Sequence, residues 1–556
     1  MTLPEGTLKV SEITLGHLPP ISPLTPTLAQ LYVSNVGTVI TGSTAINIGA
    51  ASAGELFISD ATLVSSQVRI GVNSPGTAIV GGSNANWFMS SLAVGSGYTG
   101  TLNMEHGGDV LVNGSVVVGH GATLQNYLAT TVVDGAGTEE LTTLVASDTL
   151  TIGQNLRGRL AVSGGALVIA LQDVGLGAVR HINPPTLPDG ELIVSGQTTV
   201  GDPAPSIMNI SGNLNLGLDW SARSDVIVYA GALLRVGDNF TMSVEPGSES
   251  QLLVQGVGRE RSRMEVGNLN DADPEYCNIG DRGAARVFIY EGGLLRCPFM
   301  FVGGQDFIGV GTVVVDRRGS VISSVLRVDS MLVIGNAPEA IDRQGRGRLV
   351  LRDGDVLAGI LALFTGSSLE GTGRIGLLAP DGILALEGAV DPGVTIIPAE
   401  PPLEPIAPAQ LRAGSSAPGF LASRAAVTLA LPIIQPGTLT FSNTVTLSPT
   451  AVITLDVIGK TANLYDHIIV SGTAKLGGQL VLNFGDGFAP KQGDSYNVMQ
   501  AGAFASSFQT TTIAGLAPGF TYTLSSNGGA FNLVALNDGV STTQARSKVY
   551  LPLIRR

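Results

Sequence analysis

The residues able to do chemistry fall into a few short stretches. Asn270-Asp271-Ala272-Asp273-Pro274-Glu275 alternates three carboxylates, so Asp271, Asp273 and Glu275 offer oxygen ligands of the kind calcium takes, or else form a solvated acidic loop. Together with Asp353 and Asp355 they are also the carboxylates available to a polysaccharide-cleaving enzyme, since glycoside hydrolysis needs two such groups across one groove. Thirteen of the 25 arginines lie between Arg259 and Arg352, interspersed with acidic residues, so stacking would gather them into ladders of mixed sign. Within that stretch Arg317, Arg318, Arg343, Arg346, Arg348 and Arg352 are the candidates for holding an acidic glycan. Exposed ion pairs contribute only ~0–1 kcal/mol each, so solubility and register are the competing explanation of the same charges.

Cys277 and Cys297 are the two cysteines, twenty residues apart. Neighbouring rungs of a stacked β structure lie ~4.8 Å apart, within reach of a disulfide, and buried free thiols are the alternative. His17, His106, His120, His181 and His467 lack a spacing suited to metal ligation. Tyr465-Asp466-His467 sets an acid beside a base, but neighbours on a strand point to opposite faces, which favours solvated or capping roles. Gly95-x-Gly97-x-x-Gly100 and Gly371-x-Gly373-x-x-Gly376 match the dinucleotide fingerprint, yet the extended sequence after each supplies no helix N-terminus for a pyrophosphate. No Gly-x-Ser-x-Gly elbow occurs. The composition therefore implies no cofactor, with calcium as the one candidate.

The elements that must carry these residues announce themselves by repetition. A β-branched residue followed by glycine recurs as Ile48-Gly49, Ile70-Gly71, Val94-Gly95, Val118-Gly119, Ile152-Gly153, Val200-Gly201, Val236-Gly237, Val266-Gly267, Ile279-Gly280, Val302-Gly303 and Ile334-Gly335. Between these phrases apolar residues alternate, as in Gly100-Thr101-Leu102-Asn103-Met104 and Gly158-Arg159-Leu160-Ala161-Val162, which argues strands. Glycine suits the corners because it takes positive φ without a Cβ clash. One such unit cannot bury its apolar side alone and must stack on its neighbours. Steps of 22, 24 and 24 residues after Gly49 fit one coil of a parallel β-helix, and later, longer steps fit coils with inserted loops. Leucine-rich repeats and propellers fail for want of an Asn/Leu ladder and of four-stranded blades.

The expected organisation is a proline-rich lead-in or cap (1–30), a solenoid (31–395), a Pro/Ala-rich linker or loop (396–436), a C-terminal β domain (437–536) that caps the stack, and a tail (537–556). A hydrophobic content of 44% with 13% charged residues excludes disorder, and a net charge of −14 argues against nucleic acid as a partner. No apolar run reaches the length of a membrane span, and the first residues show no signal-peptide pattern.

Ser91-Leu92-Ala93-Val94-Gly95-Ser96-Gly97-Tyr98-Thr99-Gly100-Thr101-Leu102, Gly107-Gly108-Asp109-Val110, Leu369-Glu370-Gly371-Thr372-Gly373-Arg374-Ile375, Asp391-Pro392-Gly393 and Tyr465-Asp466-His467-Ile468-Ile469-Val470-Ser471-Gly472 resemble the repeats of autotransporter-type passenger domains of bacterial surface proteins. The resemblance covers most of residues 50–535 and implies a right-handed β-helix with a life outside the cell. It departs from the family in carrying no membrane β-barrel pattern. The expected fold is thus all-β, a right-handed parallel β-helix with a C-terminal β-rich cap. The expected function is that of an extracellular or cell-surface structural or adhesive protein, a β-helical rod able to self-associate into fibres or a layer. A polysaccharide lyase or hydrolase and a glycan-binding module are the alternatives.

Overall fold

A computed structural model describes residues 7–10, 13–16, 28–34, 39–42, 45–120, 127–136, 140–178, 189–196, 205–267, 274–304, 309–335, 345–379, 382–396 and 433–542. Among them there is no α-helix; a single 3-10 turn, Ala462–Leu464, interrupts an all-β chain. Contacts divide it into two units, the first Met1–Asp329 with Ile341–Arg346 and Leu403–Ser423, the second Ser330–Ala340, Gly347–Pro402 and Arg424–Arg556.

In the first unit each coil lays down three strands, as in Gly76–Gly81, Asn86–Met89 and Ser91–Val94. Each pairs in parallel with its counterpart one coil on: Gly76 stands against Gly100, Asn86 against Asp109 and Leu92 against Val116. The result is solenoid-like, with three ladders that can be called the first, second and third faces. Alternate residues point inward, and like stacks on like. On the first face one inward column runs Leu56, Ala78, Leu102, Thr131, Leu160, Leu192, Val226, Leu252, Val287 and Val313. Every member is fully buried, so each large aliphatic contributes roughly 1.5–3 kcal/mol of burial. Thr131 is the exception in kind, a buried hydroxyl without a hydrogen-bond partner.

The glycine of the repeated phrase marks the corner from the third face to the first. Gly71 sits there at φ +71°, where a Cβ would collide with the Thr99 carbonyl oxygen of the next coil. The pattern read from sequence needs two amendments. Leu176-Gly177 and Leu216-Gly217 occupy the same corner with a leucine before the glycine, and Ser243 takes it at φ 58°. Val236-Gly237 and Val266-Gly267 follow second-face strands, Leu233–Val236 and Arg263–Val266, and mark a different corner; Val200-Gly201 lies outside the described residues.

A second device, invisible as a motif, closes the corner from the first face to the second. The amides of Gly107, Gly165, Gly231 and Gly292 donate to the hydroxyls of Thr142, Ser206, Ser262 and Ser324 in the following coil, at 3.0, 3.0, 3.0 and 3.1 Å. All four hydroxyl residues are buried. Thr142, Ser262 and Ser324 also donate back to the carbonyls of Asp134, Gln255 and Asp316. Each thus satisfies a turn amide of one coil and a strand end of its own, where an unpaired buried group would cost ~1–3 kcal/mol.

The second unit continues in the same style. Ser368–Leu377 pairs in parallel with Ala389–Asp391 and Thr438–Phe441, then Thr438–Phe441 with His467–Lys475, and Val452–Val457 with Gln479–Phe484. The stretch expected as a C-terminal β domain thus carries parallel rungs of its own. Its terminus alone departs: Ala530–Ala535 pairs antiparallel with Ser495–Phe504, and Tyr522–Asn527 pairs antiparallel with Ala530–Ala535. At the other extreme, Thr7–Val10 and Ile13–Leu15 of the expected lead-in pair in parallel with Val39–Gly42 and Ile46–Ile48.

Candidate functional site

Asp271, Asp273, Arg343, His17 and His181 lie outside the described residues. Glu275 is buried beside Gly267 and Pro298. Two residues later, the structure bonds Cys277 to Cys297 with a Cα separation of 6.1 Å. Cys277 lies on the third face, between Phe240 and Met300 in register, and Cys297 lies where Leu294–Val302 bends from the second face to the third.

The candidate glycan-binding arginines are divided between the two units. Arg317 and Arg318 belong to the first unit, whereas Arg348 and Arg352 belong to the second. Arg317 donates to the carbonyls of Ser320 and Val321, and the Arg318 guanidinium lies 3.6 Å above the Tyr290 ring with Asp316 at 3.7 Å. Arg348 makes a two-pronged bond to Glu370, at 2.9 and 2.5 Å. Arg346 is exposed, and Arg352 stands opposite Thr372. Asp355 bonds Arg374 at 3.0 Å, while Asp353 sits at φ 57° in a local bulge of the ladder. His106 lies 3.9 Å from Glu105 and His120 bonds Gln154.

Two clusters of carboxylates that no sequence motif placed together are brought together instead. In the second unit Asp391, Asp456 and Asp466 place carboxylate oxygens within 4.8 Å of one another. Asp391 ends the strand Ala389–Asp391, Asp456 is next to last in its parallel neighbour Val452–Val457, and Asp466 enters just before the strand His467–Lys475. Asp466 is fully buried and accepts from the amides of Gly437 and Asp456, each at 2.7 Å. Asp456 accepts from Asn483 at 2.7 Å and Asp391 from the Gly393 amide at 3.0 Å. No cation is among these partners, so burial pushes Asp466 up to about 8 and Asp391 up to about 7, with the neighbouring carboxylates adding to both. Asp456 is raised too, by burial. Such a group shares protons at neutral pH, and its oxygens are of the type that can hold a hard cation.

In the first unit the outward side of the first face carries a column of charge. Register stacks Thr130, Arg159, Glu191, Asp225, Gln251, Arg286 and Thr312. Arg159 bonds Glu191 at 2.5 Å and Arg223 lies 3.0 Å from Glu249. Asp225 comes directly after Glu191 on the next rung; burial first, then the Glu191 charge, push it up to about 7. Burial also lowers Arg157. Two neighbouring carboxyls, one of which keeps its proton near neutrality, are the kind of pairing that acid-base cleavage uses.

No family model matches the chain, and no curated protein matches it. Function must therefore be read from geometry alone. Asp466 was conspicuous in sequence through its neighbour His467, but its partners are backbone amides and two distant aspartates rather than the imidazole, whose Nε2 is buried without a hydrogen bond. Glu191 and Asp225 became neighbours only through a register that unequal loops conceal.

Proposed function

We propose that this chain is an extracellular or cell-surface structural or adhesive protein whose body is a right-handed parallel β-helix, its mechanism the mechanical presentation of corner loops on a stiff stack. The observation that supports this most is the three parallel ladders with residue-on-residue aliphatic columns inside, an architecture whose cohesion runs along the stack. The Cys277–Cys297 bond agrees with an oxidising compartment, where such bonds persist. Surface biotinylation and protease shaving of the intact source cells test the reading. Labelling of this chain without lysis is expected; labelling only after lysis would sink it.

A second reading, cleavage or binding of a polysaccharide, is favoured by one observation: the adjacent Glu191 and Asp225 carboxyls flanked by Arg159 and Arg223. On this reading Asp225 is the proton donor and Glu191 the second carboxyl of the pair. Incubation with a panel of acidic and neutral polysaccharides, with Asp225→Asn as the control, decides it. Release of oligosaccharides by the wild type and not by the variant supports cleavage, and no release from any substrate excludes it for that panel.

A further inference from the structure

Between Asp494 and Asp538 the chain contains no Asp, Glu, Lys, Arg or His. That neutral window builds the last described strands of the second unit, ending in the antiparallel hairpin Tyr522–Asn527 and Ala530–Ala535. The inner strand of the hairpin is paired on both sides, to Ser495–Phe504 and to Tyr522–Asn527. Tyr522–Asn527 is paired on one side only among the described residues, so alternate N–H and C=O groups along its other edge point away from the sheet. Its side chains are open too: Thr523, Ser525, Ser526 and Asn527 are exposed. Soluble proteins ordinarily guard such an edge with lysine, proline or a bulge, and this strand has none of them.

We propose that this edge is a self-association interface, at which two copies of the chain pair Tyr522–Asn527 with itself, antiparallel, across a two-fold axis. Three features select a second copy as the occupant. The strand carries no charge with which to choose a charged partner. An antiparallel strand is self-complementary under a two-fold operation, and the resulting pair closes without leaving a further edge. Continuation by a parallel coil is blocked on this face, because the hairpin already occupies the edge of Ser495–Phe504 with the strand direction reversed. A single strand edge is a small interface, so the affinity belongs in the micromolar range or weaker. The inference holds under either reading of the function, since it needs only the strand.

Sedimentation equilibrium of the full chain over a concentration series tests it, beside a Ser525→Lys/Asn527→Lys variant with an unchanged circular dichroism spectrum. The wild type is expected to go from monomer to dimer, and the variant to need at least ~tenfold more protein, because like charges are set opposite one another. In parallel, Ser525→Cys is expected to form a covalent dimer on mild oxidation, whereas Ser471→Cys, exposed elsewhere in the second unit, is not. A wild type that stays monomeric at every concentration, a double-lysine variant that associates as the wild type does, or cross-linking no better from position 525 than from position 471 would each overturn the proposal.

Discussion

The two units bury carboxylates by opposite means. On the first face of the first unit the buried Glu191 is held by Arg159, and the exposed Glu249 beside it by Arg223, so charge meets charge along the stack. In the second unit Asp391, Asp456 and Asp466 meet only backbone amides and Asn483, so protons must do what guanidinium groups do in the first. The difference teaches that a parallel ladder aligns like residues by default. Where the register brings opposite signs together a guanidinium sits against the carboxylate, and where it brings acids together burial pushes them towards holding protons.

The largest expected effect is on the pH dependence of the second unit. Asp466 at about 8 and Asp391 at about 7 lie above an unfolded aspartate near 4, so the folded chain holds protons that the unfolded chain releases. The stability they confer is fully present below about pH 4 and is lost as pH rises through 7 and 8, a total on the order of several kcal/mol. Urea titrations from pH 4 to pH 9 should show the midpoint of the second unit falling steadily. Asp391→Asn should flatten that slope, and an unchanged slope would remove Asp391 from the group.

Breaking the first unit's arrangement comes next. Arg159→Ala removes the guanidinium bonded to Glu191, which is buried and faces Asp225, at a cost of about 3 kcal/mol. Arg235→Ala, on an exposed pair with Glu265 at 3.5 Å, should cost less than about 1 kcal/mol. Equal losses in chemical unfolding would mean that the first face does not use its arginines in the way the register indicates.

The strands, their alternation and the glycine corner were legible because they depend on local chemistry: Ile70-Gly71 turns for reasons contained in those two residues. What depends on register was not. Glu191 meets Asp225, and Asp391 meets Asp456, only after loops of unequal length have been closed, and loop length carries no sequence signature of where the next strand begins. The hydroxyl ladder stayed hidden for another reason. Ser206, Ser262 and Ser324 look like ordinary turn serines, and only the buried turn amide of the coil before shows why a hydroxyl is needed. The arginines between Arg259 and Arg352 were conspicuous by number, yet Arg318 and Arg348 are committed to Tyr290, Asp316 and Glu370.

That ladder supplies the next contrast. Ser262→Ala removes the acceptor of the Gly231 amide and the donor to the Gln255 carbonyl in a fully buried place, so about 2 kcal/mol should be lost. Ser367, which serves the Gly347 amide in the second unit, should lose a similar amount as alanine. Matching values would show one device in both units, whatever they do with their acids.

The smallest effect is the most discriminating for the corner. At Gly71, alanine meets both a left-handed φ and the Thr99 carbonyl, and a loss of at least ~1–2 kcal/mol is expected. Ser243 holds the equivalent corner at φ 58°, and its hydroxyl donates to the Ala284 carbonyl at 2.7 Å. Ser243→Gly relieves left-handed strain of about 1 kcal/mol and forfeits a hydrogen bond of about the same size, so its thermal midpoint should barely move. A clear gain would mean that the hydroxyl contributes little and that the corner asks only for a residue without a Cβ. A clear loss would mean that the bond to the next coil outweighs the strain, and that serine is at home where the repeat elsewhere uses glycine.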